Sequence, residues 1–232
     1  MTDLQSFDSD IVIVGGGLGG PALALGLAQA GFTVTVIDAA PLATHEAADF
    51  DGRSYALALA SVRLLDRLGL WDRVEDNAQP MFEIKVSDGR AGEGPLSPFF
   101  LHFDHAEIEE GPMGHMLEDR FLRRALLDAL EAEPKITHLA GETVVAQSCD
   151  AMRAEVTLAS GRTLTARVLV GADGRSSGTG ARAGIPRRGW DYAQTALVAA
   201  IEHDAPHHGI AHQFFMPSGP LAILPLPGQV SS

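Results

Sequence analysis

Apolar residues in this chain first appear as short unbroken runs rather than as stripes. Ile11-Val-Ile-Val14 is followed by residues 15–20, of which all but Leu18 are glycine, and then by an uncharged stretch over 18–30. A second run, Val34-Thr-Val-Ile-Asp38, closes the pattern. Unbroken apolar runs of this length suit strands buried on both faces of a parallel sheet. The pattern predicts strand, glycine turn, helix and strand across residues 10–38. Pro21 falls in the first helical turn, where its missing N–H has no intrahelical partner to lose. A helix apolar all round is covered on more than one side, so something besides its own sheet is expected to pack on it.

Downstream, residues 39–51 are small and polar and read as a loop. Residues 54–68 read as a helix with Leu57, Leu64, Leu65 and Leu68 on its apolar side and Gly69 just after it. Residues 81–87 alternate as a strand that stops at Asp88-Gly89, and 99–103 form a second short strand. Residues 119–132 carry Phe121, Leu122, Ala125, Leu126 and Ala129 on one helical face. Residues 143–148, 154–158 and 163–170 read as a three-strand meander with a turn at Ser160-Gly161. Beyond Gly184 the texture turns to strands over 195–201, 211–215 and 221–226. The predicted class is α/β: a Rossmann-like nucleotide-binding domain (1–75 and 105–188) with a second, partial β-sheet domain (76–104 and 189–232). The second sheet is the expected cover for the apolar helix.

The glycines carry the first candidate chemistry. Gly15, Gly17 and Gly20 fit G-x-G-x-x-G in register, with Leu18 and Gly19 between them. The first glycine allows a sharp turn, the second a close backbone approach to a pyrophosphate, the third close packing of helix on strand. The helix N-terminus offers free N–H groups and a positive dipole end to phosphates. Asp38 lies eighteen residues past Gly20, at the end of the second strand. A carboxylate there accepts hydrogen bonds from a ribose 2′-hydroxyl and repels a 2′-phosphate. The expected ligand is FAD or NAD.

Charge and cysteine content narrow the classes. The formal net charge of −13 disfavours nucleic acid and anionic membrane surfaces as partners. No apolar stretch approaches the ~20 residues of a membrane span. The first ten residues have neither a basic segment nor an apolar core, so no signal peptide is expected. Cys149 is the only cysteine, which excludes an internal disulfide, a C-x-x-C pair and a cysteine zinc site; a cytoplasmic location fits. His203, His207, His208 and His212 twice show i, i+4 spacing, which on a helix could ligate a metal. Pro206 and Gly209 interrupt any such helix, so a solvated loop and no metal are expected.

A second motif, Val168-Leu-Val-Gly-Ala-Asp-Gly-Arg-Ser-Ser177, ends an apolar strand in Gly171, Asp173 and Gly174. Together with the glycine fingerprint it resembles the FAD-dependent aromatic-ring monooxygenases of the para-hydroxybenzoate hydroxylase class, and within them the ubiquinone-biosynthesis hydroxylases. Asp51-Gly-Arg53-Ser-Tyr-Ala-Leu57, Leu68-Gly-Leu-Trp71, Gly114-His115-Met-Leu-Glu118-Asp119-Arg120 and Gly219-Pro-Leu-Ala-Ile-Leu-Pro225 carry the same resemblance. It implies that Gly15, Gly17, Leu18, Gly19, Gly20 and Asp38 hold the ADP half of FAD. Arg53 would reach the cofactor's phosphates and Arg120 the flavin side. Asp173 and Gly174 would brace the pyrophosphate region in a motif also linked to NAD(P)H. The implied reaction is hydroxylation of an aromatic ring, a polyprenyl phenol in the ubiquinone branch, with dioxygen and NAD(P)H as co-substrates. The resemblance also admits a peripheral membrane or biosynthetic-complex contact. No residue stands out from the sequence as an acid or base for phenol activation. Two other classes remain open: another FAD-dependent oxidoreductase, and a non-catalytic FAD-binding fragment.

The chain departs from the family at three points. Asp119 stands where the family has Asn. Gly180 stands where it has Arg, with Arg182 two residues on. The family's Gly-Asp-Ala-Ala-His motif, which serves the ribityl chain and flavin ring, does not occur. The chain alone is therefore expected not to hydroxylate.

Overall fold

The computed structural model describes residues 6–45, 50–88, 100–108 and 110–232. In chain order they form β1 (Ile11–Val14), α1 (Gly19–Gln29), β2 (Val34–Asp38), α2 (Leu42–His45), β3 (Ser54–Ala58), α3 (Leu59–Arg67), β4 (Gln79–Met81), β5 (Glu83–Asp88) and β6 (Phe100–Asp104). Next come β7 (Gly114–Glu118), α4 (Asp119–Ala132), β8 (Ile136–Ala140), β9 (Val144–Cys149), β10 (Ala154–Leu158), β11 (Thr163–Ala166), β12 (Val168–Gly171) and α5 (Gly178–Arg182). The last elements are β13 (Ile201–Glu202), β14 (Ile210–Met216), β15 (Gly219–Ile223), β16 (Pro225–Leu226) and β17 (Val230–Ser231). Residues group into two units, 1–48 with 123–194, and 49–122 with 195–232.

In the first unit four parallel strands run in the order β12-β1-β2-β8. All residues of β1 and β2 are buried, which accounts for their unbroken apolar runs. Alternate residues of β1 serve opposite faces. Val12 and Val14 join Ile37 in a core with Val144, Val156, Leu158, Leu164 and Ala166, so the β11-β10-β9 meander covers one face. Ile13 points the other way, toward Gly20 at the start of α1. Each large aliphatic side chain so buried contributes roughly 1.5–3 kcal/mol of transfer free energy. The helix α1 buries Gly20, Pro21, Ala24, Leu25 and Ala28, while Leu23 is exposed. The second unit holds three sheets, β3-β7-β4, β15-β14-β5-β6 and β13-β17-β16. Its core gathers Met81, Met116, Ala211 and Leu226, with Ile84 and Phe50 against them.

Several expected elements take a different form. Residues 54–58 are a strand, not the first turns of a helix, because they pair with β7, far downstream, from Ser54↔Glu118 to Ala58↔Gly114. Only 59–67 are helical, and Gly69 closes that helix in the left-handed region at φ +72°. Residues 163–170 are two strands: β11 belongs to the meander, and β12 joins the parallel sheet beside β1. The expected strand at 195–201 is irregular until β13, and 221–226 breaks at Leu224 into β15 and β16. The strand expected at 81–87 is interrupted at Phe82, and its predicted stop at Gly89 lies outside the described residues, as does Phe99. The strand β8 has no counterpart in the sequence reading. The expected domain boundaries also fall elsewhere: 49–75 and 105–122 group with the second unit, since β3, β4 and β7 form one sheet.

Candidate cofactor-binding site

The parallel sheet reverses its chain direction of winding at β1, which has β2 on one side and β12 on the other. Crevices at the carboxyl ends of strands, at such a switch point, are where open α/β sheets bind ligands. A cleft of about 440 Å³ opens there, within the ~300–1,000 Å³ usual for small-molecule sites. It is lined by Gly15, Gly16, Gly17, Asp38, Asp173 and Arg182, among others.

Each glycine of the fingerprint has a distinct local reason. Gly15 sits at φ +118°, and a Cβ there would stand 2.3 Å from the Ala172 carbonyl oxygen. Its N–H donates to the Ile37 carbonyl at 2.7 Å, tying the turn to β2. A Cβ on Gly20 would stand 1.9 Å from the Gly15 carbonyl oxygen, so α1 can close on the turn only without a side chain. Gly17 differs: a Cβ there would meet no protein atom within 4 Å. The protein leaves that space open, at the point where a phosphate would approach the backbone. Leu18 is the N-cap of α1 and offers no side-chain cap, and the first turn holds no acidic residue. The N–H groups there have no side-chain cap, the arrangement in which a helix N-terminus can receive an anion.

Asp38 ends β2 with 9% of its surface exposed. Its Oδ1 accepts the Ala40 N–H at 3.0 Å, which fixes the carboxylate at the cleft wall. Across the cleft, β12 leads into Ala172-Asp173-Gly174. Asp173 accepts hydrogen bonds from the Ser177 hydroxyl and from the Thr179 N–H, the latter at 2.9 Å. Burial pushes the Asp173 carboxyl up, but these hydrogen bonds outweigh it and hold the group below the usual carboxylate range. Gly174, at φ +76°, lets the loop turn away. Asp173 thus braces the loop that frames the cleft.

Arg182 is the cation of the lining, against the carboxylates of Asp38, Glu142 and Asp173. Its Nε donates to Gln147 Oε1 at 3.1 Å, while Gln147 Nε2 donates to the Thr179 carbonyl at 3.1 Å. The sequence marked Arg182 only as a displaced residue; the fold brings it to the cleft. Gly16, Glu142 and Thr143 also line it and were not singled out. Gly16 occupies the free position of G-x-G, so the motif gave no signal there.

Arg53 and Arg120 belong to the second unit. Arg53 pairs with Asp51 at 2.6 Å and with Asp119 at 3.3 Å. Asp119, nearly buried at the start of α4, also accepts the Tyr55 hydroxyl at 2.7 Å. The departure from Asn at this position therefore supplies a charge that holds Arg53. Arg120 pairs with Glu118 at 2.6 Å and lies over the Phe50 and Phe121 rings. Within the first unit, then, Gly15, Gly17, Asp38, Asp173 and Gly174 line one cleft, with Leu18, Gly19 and Gly20 at the start of α1; Arg53 and Arg120 are residues of the second unit.

Of the histidine series, His203 and His207 clasp the loop, while His212 lies in β14 and not in the expected loop. His203 bonds to the Ala205 carbonyl at 2.6 Å and to the Ser231 hydroxyl at 2.9 Å. His207 Nδ1 accepts the Gly209 N–H and Nε2–H donates to the Leu226 carbonyl, both at 2.9 Å. Among the described residues, no group of three or more His, Cys, Asp or Glu side chains is placed to hold a metal ion. Among them too, no helix is long and apolar enough to cross a membrane.

Residues 8–222 match the family described as FAD binding domain. The chain belongs to that family. The ligand left open between FAD and NAD is accordingly FAD. Within the FAD-binding family, the chain is 46% identical over 224 residues to the ubiquinone hydroxylase UbiL of Rhodospirillum rubrum, covering 97% of this chain and 51% of that protein. It is 37% identical over 221 residues to the 3-demethoxyubiquinol 3-hydroxylase of Escherichia coli, covering 94% and 54%. The chain spans about half the length of the curated relatives it matches. In three dimensions it resembles Pseudomonas aeruginosa PqsL in complex with 2-aminobenzoylacetate, with a TM-score of 0.74 at 23% identity over 96% of this chain and 59% of that one. That likeness establishes the fold.

Proposed function

We propose that this chain is the FAD-holding part of a monooxygenase that hydroxylates the ring of a polyprenyl phenol in ubiquinone biosynthesis, using dioxygen and NAD(P)H. The observation that carries the reading is the conjunction at the cleft of an uncapped helix N-terminus, the open space at Gly17 and the Asp38 carboxylate. The names of the relatives support the substrate class.

The cleft residues fit an adenine dinucleotide. The N–H groups after Gly17 would meet the pyrophosphate, Asp38 would accept from the ribose hydroxyls, and Arg182 would face the phosphates. Asp173 and Gly174 would keep the opposing loop in shape. The proposal keeps Arg53 and Arg120 as cofactor-contacting cations, as the resemblance implies. Bound FAD would supply the redox chemistry of hydroxylation; the protein's own task is binding, orientation and exclusion of water.

The test is product stoichiometry with a prenylated phenol, in this chain as it stands and joined to the C-terminal half of the R. rubrum relative. One hydroxylated product per NAD(P)H and per dioxygen consumed by the joined protein is the expected result. Substrate-linked reduction without oxygen uptake would instead identify a dehydrogenase or reductase on the same fold.

A further inference from the structure

The sheet β15-β14-β5-β6 has two unlike faces. Ile84 and Ala211 turn inward to the Met81, Met116 and Leu226 core. Strand pleating then sends Lys85 and His212 to the opposite face. The register sets His102, Lys85, His212 and Ile223 side by side across the four strands. Glu83, one row away on the same face, pairs with Lys85 at 2.9 Å and with His102 at 2.7 Å through one oxygen. Phe214 stacks parallel to the His212 ring at 6.0 Å, and Leu221 and Ile223 extend an exposed apolar ground beside them.

We propose that this row binds the phenolic end of the substrate: Lys85 meets the phenol oxygen and His212 takes its proton. The proposal rests on the aromatic-hydroxylation reading above and supplies the proton acceptor that the sequence did not reveal. In the step, the phenol O–H bond breaks, its electron pair stays on oxygen, and the proton moves to an imidazole nitrogen of His212. Nothing is oxidised. The phenolate that results is the electron-rich form of the ring.

Lys85 is the cation on this face, beside the carboxylates of Glu83 and Asp104. Asp104 is occupied by the Ala106 N–H and by His105, and Glu83 by Lys85 and His102. The charged groups facing His212 are Lys85 and Glu83, both on β5; its other neighbour, β15, presents Ile223. Burial chiefly, and Lys85 next, push the His212 imidazole below its ordinary value against the opposing pull of Glu83. It is thus neutral near pH 7 and able to accept a proton. Lys85 and His102 keep about a third of their side-chain surface open (34% and 38%), enough to be reached by a ligand.

The test uses 4-nitrophenol, whose ionised form is distinguished by its colour, titrated over pH against the chain with and without FAD. Bound probe should ionise at a pH at least one unit below that of free probe, a tenfold shift. Lys85→Met and His212→Gln should each return the midpoint toward the free value, and Lys85→Arg should retain most of the shift. Circular dichroism of each variant checks the fold. No probe binding, an unshifted midpoint, or a shift that both folded variants retain overturns the row. FAD affinity, measured in the same samples, reports separately on the flavoprotein reading: intact FAD binding without a probe shift removes the row and leaves that reading standing.

Discussion

Gly16 lies against Asp38 so closely that a Cβ added to Gly16 would stand 2.1 Å from Asp38 Oδ2 and 2.7 Å from Cγ. The position that the dinucleotide motif leaves free is therefore fixed here by the Asp38 carboxylate. Gly16→Ala should push Asp38 aside and weaken FAD binding about ten- to a hundredfold, the scale of one charge-assisted hydrogen bond of about 1.5–3 kcal/mol. Fluorescence titration with FAD measures this. Added to Asp38→Ala, the glycine substitution should cost little more, because both remove the same contact.

Gly17 and Gly20 separate ligand binding from folding. Gly17→Ala meets no protein atom, so its stability should stay within about 0.5 kcal/mol of the parent while FAD binding is lost. Gly20→Ala drives a methyl group into the Gly15 carbonyl and should destabilise by about 1–3 kcal/mol. Urea unfolding alongside FAD titration distinguishes the two. Equal stability losses would show that Gly17 is a folding glycine and not a ligand one.

Much of this was legible in the chain. The β1-α1-β2 unit declares itself because buried parallel strands have unbroken apolar runs and the turn between them requires glycine. The helix over residues 119–132 declares itself through its one apolar face. What stayed hidden depends on partners distant in sequence. Residues 54–58 carry leucine and alanine that suit a helix, and only pairing with β7 makes them a strand. Ile136-Thr-His-Leu-Ala140 has too weak a pattern to announce β8, which β2 completes. Arg182, on α5, and Glu142, just ahead of β9, reach the cleft through the fold, not through any spacing from the fingerprint. The His102-Lys85-His212 row exists only once three strands are in register.

Asp173 gives a pH prediction. Its folded pKa lies below the ordinary value of 3.8, so its ionised form stabilises the loop. That contribution is fully present above the ordinary value and is lost as pH falls through the depressed one. Asp173→Asn should therefore destabilise by about 1 kcal/mol at neutral pH, a figure reduced for partial exposure, with the difference from the parent vanishing in strong acid. Unfolding curves of the two proteins across pH check it; a constant difference at every pH would contradict the assignment.

Arg182 is exposed and held by Gln147 at 3.1 Å. Screening limits an exposed cation, so Arg182→Ala should weaken FAD binding by about fivefold, roughly 1 kcal/mol. The parent's affinity should fall with added salt more steeply than the variant's. Gln147→Leu should produce a smaller loss, since the charge remains but its anchor does not.

The most direct test of the central claim is competitive equilibrium dialysis of this chain with FAD and NAD, repeated on Asp38→Ala. The account predicts that FAD binds at lower concentration than NAD, and that Asp38→Ala weakens FAD about ten- to a hundredfold. Tighter binding of NAD, or FAD affinity indifferent to the loss of Asp38, would contradict it.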